Sequence, residues 1–279
     1  MGKSYPSDLT DLQWALVEPL LEEFYRRGGR PPLHPRRRIL DALLYVTRGA
    51  ISWRMLPHDF PSWDTVYSCF RRWRDAGLLE HIHAVLRTET RHRLGRDAHP
   101  SAGALDSQTV KTTEKGGPGG YDGGKKVKGR KRHLLVDTEG LVHALRVHPA
   151  SVQDRDGAQL LLGGKSREGF PRLRKLWVDS GYTGRCKCWL EEKFGWDVEV
   201  VRRPNEVRQR WYGLPPEIER PPFPRGFMLV ARRWVVERTF GWLNLFRRLS
   251  KDYEQKPASS EAFIWLAMTA LLLRRLAPA

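Results

Sequence analysis

Three carboxylates give this 279-residue chain its first chemical suggestion: Asp106, Asp179 and Glu237. Asp106 lies within an alternating segment, residues 104–110, that reads as a strand. Asp179 closes a buried-type strand, 175–179, just before Ser180-Gly181-Tyr182. Glu237 sits on a helical stretch, 232–249. A mixed sheet that sets the two strands side by side, with the helix packed nearby, brings the three together. Clustered carboxylates repel one another and require cations. Hard oxygen donors suit two Mg²⁺ (or Mn²⁺) ions. Two such ions about 3.5–4 Å apart clamp the attacking and leaving oxygens of an in-line phosphoryl displacement. Each residue alone also has a plainer reading: Asp106 in solvent, Asp179 capping its turn, Glu237 pairing with Arg233 one helical turn away.

The stretch 232–249 divides at helical spacing into two faces. Val235, Val236, Thr239, Phe240, Leu243, Phe246 and Leu249 form an apolar stripe, while Arg233, Glu237, Gly241, Asn244 and Arg248 share a polar face. Gly241 costs the helix about 1 kcal/mol against alanine, which suggests a close backbone approach there.

Composition narrows the partner. Forty-nine Lys and Arg against 32 Asp and Glu give a formal charge of +17. Such an excess favours polyanions, nucleic acid before anionic membrane. The longest apolar run, 262–273, is too short for a bilayer span of about 20 residues and reads as a buried helix. With no apolar leader after Met1, a cytoplasmic, nucleoid-associated protein is expected. Cys69, Cys186 and Cys188 have no zinc spacing and read as reduced thiols. His133, His143 and His148 show no mutual metal spacing and read as structural, as does Asp137 in a hairpin turn.

The elements that must position the carboxylates fall into two regions, 1–95 and 104–279. Helices are expected at 8–24 with Asp8 as cap, at about 36–48, at 63–75 capped by Ser62 or Asp64, and at 78–94. The last two surround a turn and suit a helix-turn-helix reader of the DNA major groove; an all-helical packing unit with a basic face is equally open. After a linker at 95–103, the strand at 104–110 leads into a flexible glycine-rich stretch, 116–124, and the basic run 125–132. Glycines beside clustered cations suggest a loop that moulds onto phosphates. A hairpin joins 133–136 to 141–147, helices follow at 152–162 and 186–194, and a strand at 197–201; 202–226 reads as irregular.

Ala104 to Lys111 around Asp106, Gly120 to Arg132, Val178 to Gly184 around Asp179, and Trp234 to Leu243 around Glu237 together resemble a bacterial insertion-sequence transposase. The chain is similar to the group named after insertion sequence five, whose Asp-Asp-Glu catalytic domain has a ribonuclease-H-like fold. The resemblance implies an α/β mixed sheet flanked by helices, preceded by the helical region. It also implies that Asp106, Asp179 and Glu237 bind two divalent ions while water or a DNA 3′-hydroxyl attacks a phosphodiester. Related transposases carry Tyr-x2-Arg-x3-Glu-x6-Lys at the glutamate. Here Arg233 and Glu237 fit, but Val230 and Asn244 stand at the outer positions, so Arg247 or Arg248 is expected to supply the missing cation.

Phosphate contacts are expected from residues 36–38, from Arg71, Arg72 and Arg74, from Lys125, Lys126, Lys128, Arg130, Lys131 and Arg132, and from Arg233, Arg247 and Arg248. The expected partner is double-stranded DNA, both element ends and target, with a homodimer joining two ends. A non-catalytic DNA binder and a nuclease without strand transfer remain the alternatives.

Overall fold

The structure, a computed structural model, describes residues 5–26, 33–114, 116–201 and 233–278. The irregular stretch 202–226 and Val230 lie outside the described residues. Four helices come first: α1 (Asp11–Tyr25), α2 (Arg36–Gly49), α3 (Trp63–Asp75) and α4 (Leu78–Arg93). Thr10, rather than Asp8, caps α1. Its hydroxyl accepts from the Gln13 backbone N–H while the Gln13 side chain accepts from the Thr10 N–H, a reciprocal capping box. Asp8 instead accepts from the Tyr5 backbone and from Arg38. Ser62 occupies the position before α3 but makes no side-chain bond to its backbone. Between α3 and α4 the chain turns at Gly77, whose φ of +70° favours a residue without Cβ.

A mixed sheet follows: β1 (Ala102–Lys111), β2 (Gly120–Asp122), β3 (Val127–Asp137), β4 (Val142–Pro149), β5 (Lys175–Val178) and β6 (Asp197–Val200). β1 pairs antiparallel with β3 and parallel with β5, and β5 pairs parallel with β6. β2 and β4 lie in succession along the far edge of β3. Helices α5 (Asp154–Leu162), α6 (Arg185–Phe194), α7 (Trp234–Leu243) and α8 (Pro257–Leu276) flank the sheet. This is the ribonuclease-H-like arrangement that the resemblance implied.

Alternation along the strands sorts side chains between two cores. Leu105, Leu135, Ala144 and Leu176 pack with α5 and α6 on one face. Ala104, Leu134, Val136, Leu145 and Trp177 pack on the other, in a cluster that also holds Val236 and Leu243 of α7, Phe263 and Leu266 of α8, and Leu43, Phe70 and Leu86 of the first four helices. The run 262–273 is thus part of the central core helix, and among the described residues no helix is long and apolar enough to cross a membrane.

The basic run departs most from expectation. Residues 127–132 are strand rather than loop, and Arg130, Lys131 and Arg132 are buried. Arg130 donates to the carbonyls of Gly116, Pro118, Glu254 and Gln255, to the Ser260 hydroxyl and to the Asp252 carboxylate at 3.1 Å. It staples β3 to the glycine-rich loop and to the segment before α8. Removing one partner of a buried ion pair typically costs about 3–5 kcal/mol because the other charge is stranded. Arg130→Ala should therefore lower unfolding free energy by about that amount in a urea titration. A loss below about 1 kcal/mol would mean that the site relaxes and hydrates Asp252.

Candidate active site

Strand register places the two aspartates. β1 and β5 run parallel with Ala104 opposite Trp177, so two residues further along each chain Asp106 and Asp179 are level. Asp106 shares its β1 face with Ala104, the face covered by α7. Asp179 ends β5 and caps a short turn, its Oδ1 accepting from the Gly181 N–H at 2.8 Å, which leaves Oδ2 free to face α7. Glu237 lies in the first turn of α7, where the helix dipole favours a carboxylate.

One side chain meets all three. Arg233, just before α7 and only 4% exposed, donates from Nη2 to Asp106 Oδ2 at 3.2 Å and to Glu237 Oε1 at 3.1 Å, and its Nη1 lies 3.7 Å from Asp179 Oδ2. The plain Arg233–Glu237 pair is present, but it is one arm of a larger hub. Burial pushes the Asp106 carboxyl up to about 6, with Arg233 opposing and Asp179 reinforcing the rise. Among the described residues no three acidic, His or Cys side chains are arranged as a ready metal cage, since the carboxylates turn toward the guanidinium. The donor set itself fits hard divalent cations: three carboxylates from three elements already share one cation.

The helix carrying Glu237 is seated on the β3–β4 turn. Gly140, at φ +79°, leaves no room for a Cβ, which would lie 2.8 Å from Thr239 Oγ1 and 2.9 Å from the Trp242 ring. Thr239 donates to the Gly140 carbonyl at 2.8 Å and Arg238 to the Glu139 carbonyl at 3.0 Å. The turn is shaped by buried Asp137, which accepts from the Glu139 and Leu141 N–H groups and pairs with Arg91 of α4 and with His143. Asp137 and His143 are structural, as read from the sequence. Gly241 differs from expectation: a Cβ there would meet nothing within 4 Å, so no backbone of the described residues approaches it.

Behind Asp179 runs a buried chain of hydrogen bonds that sequence spacing did not reveal. His148 Nδ1 lies 3.0 Å from the Pro149 carbonyl, its Nε2 lies 3.1 Å from His133 Nδ1, and His133 Nε2 lies 2.5 Å from the Tyr182 hydroxyl. The carbonyl can only accept, which fixes every proton: His148 donates to it, His133 donates to His148, and Tyr182 donates to His133. Both histidines are neutral in this pattern, and burial lowers His133 to about 3. The chain ties the turn after Asp179 to β3. Its only sequence signal was the pair of histidines on adjacent strands.

Cations read as phosphate contacts separate by burial. Arg71, Arg72, Lys125, Lys126, Lys128 and Arg247 are exposed. Lys125 lies beside the carboxylates, its Nζ 3.4 Å from the Ser107 carbonyl. Several others are corrected. Arg74 bonds Asp75 and Ser259, and Lys131 pairs with Asp122 and Asp154. Arg132 bonds the Leu249 carbonyl at 2.7 Å, and burial lowers it to about 10. Arg248 is held by Glu254 at 2.8 Å and by the Ile51 carbonyl, so it does not replace the lysine absent at Asn244. Arg37 and Arg38 are engaged by Asp11, Asp8 and Asp41, and Arg36 stacks on Tyr25. Arg233 is enclosed by the carboxylates.

Residues 97–273, more than half of the chain, match the family model described as Transposase DDE domain. The chain belongs to this DDE transposase family. Residues 9–83 match a second model, Putative transposase of IS4/5 family. The chain is 31% identical over 144 residues, half of its length, to a protein of Burkholderia cepacia named Putative transposase for insertion sequence element IS402. It is 33% identical over 81 residues, 29% of its length, to Uncharacterized protein y4sN of Sinorhizobium fredii. These matches span 60% and 64% of the two relatives. No solved structure matches the chain significantly.

The neutral histidine pair sets a pH dependence. Folded His133 takes up no proton until about pH 3, whereas the unfolded chain protonates it near 6.5. Between those values the unfolded state holds more protons, so stability falls as pH falls, by up to about 1.4 kcal/mol per pH unit. Urea unfolding at pH 7, 6, 5 and 4 should reveal this slope, and His133→Gln, which does not titrate, should flatten it. An unchanged slope in the variant would assign the acid sensitivity to other groups.

Proposed function

We propose that this chain is a DNA transposase that binds the ends of an insertion sequence, cleaves them and transfers the strand ends to target DNA. The observation that carries the reading is the convergence of Asp106, Asp179 and Glu237 on Arg233, within a chain of the DDE transposase family. Those carboxylates would hold two Mg²⁺ or Mn²⁺ ions. Such ions, when bound, polarise the phosphodiester and lower the pKa of an attacking water or 3′-hydroxyl.

The protein's own groups do the rest. The strand register and the capped turn hold the two aspartates at one level, and the Gly140 seat holds the helix of Glu237. Arg233 offsets part of the cluster's negative charge in the free chain and holds the three carboxylates toward one point. Lys125 stands at the rim as a phosphate contact. The exposed Arg71 and Arg72 of α3 suit a helical reader within residues 1–95, with catalysis assigned to 104–279. Two element ends call for a homodimer on DNA, and nucleoid-associated action in the cytoplasm follows from that substrate.

Glu237→Gln keeps size and polarity but removes a charge. It should reduce nicking of a supercoiled plasmid carrying the element ends by at least 10²-fold while end binding in EDTA changes less than about threefold. Undiminished nicking would remove Glu237 from the chemistry. Pre-cut ends mixed with a target plasmid should be joined; cutting without joining would make the protein a nuclease.

Binding in EDTA should also weaken steeply with salt, since each neutralised phosphate of a duplex contributes about −0.9 to the log–log slope. Contacts from Arg71, Arg72, Lys125, Lys126 and Lys128 predict a slope of about −4 or steeper. A slope shallower than about −2 would remove most of these side chains from the interface.

A further inference from the structure

A second stripe of α7 has no part in the carboxylate site. Trp234, Arg238 and Trp242 recur every four residues and therefore lie on one line. The Arg238 guanidinium carbon is 4.4 Å from the Trp234 ring centre and 4.8 Å from that of Trp242. Arg275, near the end of α8, lies 4.6 Å from the same Trp242 ring. The four side chains stack in the order Trp234, Arg238, Trp242, Arg275, alternating ring and cation. Trp234 is 36% exposed, and Arg275 is also exposed.

The stack is electrostatically incomplete. Two guanidiniums approach one indole, and partial burial, reinforced by the charge of Arg238 and opposed by Asp137 and Glu139, pulls Arg275 below its usual range. Among the described residues no carboxylate lies within ion-pair distance of either. Arg238 donates to the Glu139 carbonyl, while its Nε is buried without a partner. The Glu139 carboxylate is directed to Arg96. Arg93, at the end of α4, donates to the Leu276 carbonyl beside Arg275 and pairs with Glu89. Two like charges held against one ring, with no carboxylate of the described residues in ion-pair contact, make a surface that an external polyanion completes. An open indole beside them adds a face on which a base can stack, as aromatic platforms do in single-strand binding. Arg238 also follows Glu237 directly in sequence, so a strand lying along this stripe runs beside the proposed chemistry.

We propose that the Trp234–Arg238–Trp242–Arg275 stack is a binding site for a single DNA strand, with phosphates on Arg238 and Arg275 and an unpaired base on Trp234. This inference rests on the DNA-acting role proposed above. None of the four residues stood out in the sequence as a DNA contact.

The test uses the full chain in EDTA, so that only binding is read, with a 12-nucleotide single strand and a blunt duplex of the same length as probes. The Arg238→Gln/Arg275→Gln double variant should bind the single strand about tenfold more weakly, and its log–log salt slope should be shallower by about 1.4, two phosphates at about 0.7 each. Trp234→Ala should weaken single-strand binding at least fivefold, with the salt slope unchanged and duplex binding within twofold of wild type. Single-strand affinity and slope equal to wild type in the double variant would overturn the proposal, as would equal loss on both probes in Trp234→Ala. If the double variant melts early, Arg275→Gln alone, at an exposed position, should still lower the slope by about 0.7. Failure of the wild-type chain to bind either probe would instead remove the DNA-acting reading itself. Wild-type binding with unaffected variants removes only the stack.

Discussion

Three carboxylates cannot be held within reach of one another unless something positive stands among them, and in this protein that cation is Arg233. The geometry of the cluster follows from this requirement. A buried guanidinium has a fixed fork of donors, so the three acceptors must arrive from directions that the fork can serve. Asp106 comes from the middle of a strand, Asp179 from a strand end and Glu237 from a helix. The cost appears at Asp106, whose carboxyl is pushed up to about 6 although an arginine touches it. Burial outweighs the contact there.

The supports are indirect. Arg91 belongs to a helix of the first region, yet it fixes the charge of Asp137, which shapes the turn on which the helix of Glu237 sits. The position of Glu237 therefore depends on a side chain near the end of α4 that is far from it in sequence. On the other face of the sheet the tyrosine–histidine–histidine chain ties the Asp179 turn to β3. Polar networks of this kind specify one arrangement only when every member is satisfied, and here a single proline carbonyl sets the direction of each donor.

What could be read from the chain was whatever depends on local period. The alternation at 104–110 and the apolar run of α8 gave their elements to within a few residues, whereas the helix expected over 232–249 ends at Leu243, and Arg247–Leu249 form a separate short turn. The carboxylates stood out because each lies at a strand or helix position with a clear pattern. The basic run at 125–132 was misread beyond Lys128. Consecutive cations after glycines look solvated, and the carbonyls that bury Arg130 and Arg132 come from residues 116–118 and 249–255, which no local pattern connects to them. Arg248 was misread for the same reason, because its partner Glu254 and the Ile51 carbonyl meet it only after folding. Capping by Thr10 rather than Asp8 was a smaller miss: both are good caps, and the Gln13 side chain, three residues after Thr10, completes the reciprocal bond.

The buried arginines of β3 also bear on how the molecule comes to exist on a ribosome. Synthesis delivers the N-terminal helices and strands first, at about 5–20 residues per second. Arg130 and Arg132 emerge with the sheet, but most of their acceptors lie between residues 249 and 260, more than a hundred residues later. For several seconds the nascent sheet carries two guanidiniums in its middle with only the earlier acceptors at Gln108, Gly116 and Pro118 to receive them, and one of its faces still lacks α8. A half-made chain thus resists closing early, and the carboxylates gain a settled frame only once the later segment has emerged and threaded back against the third strand.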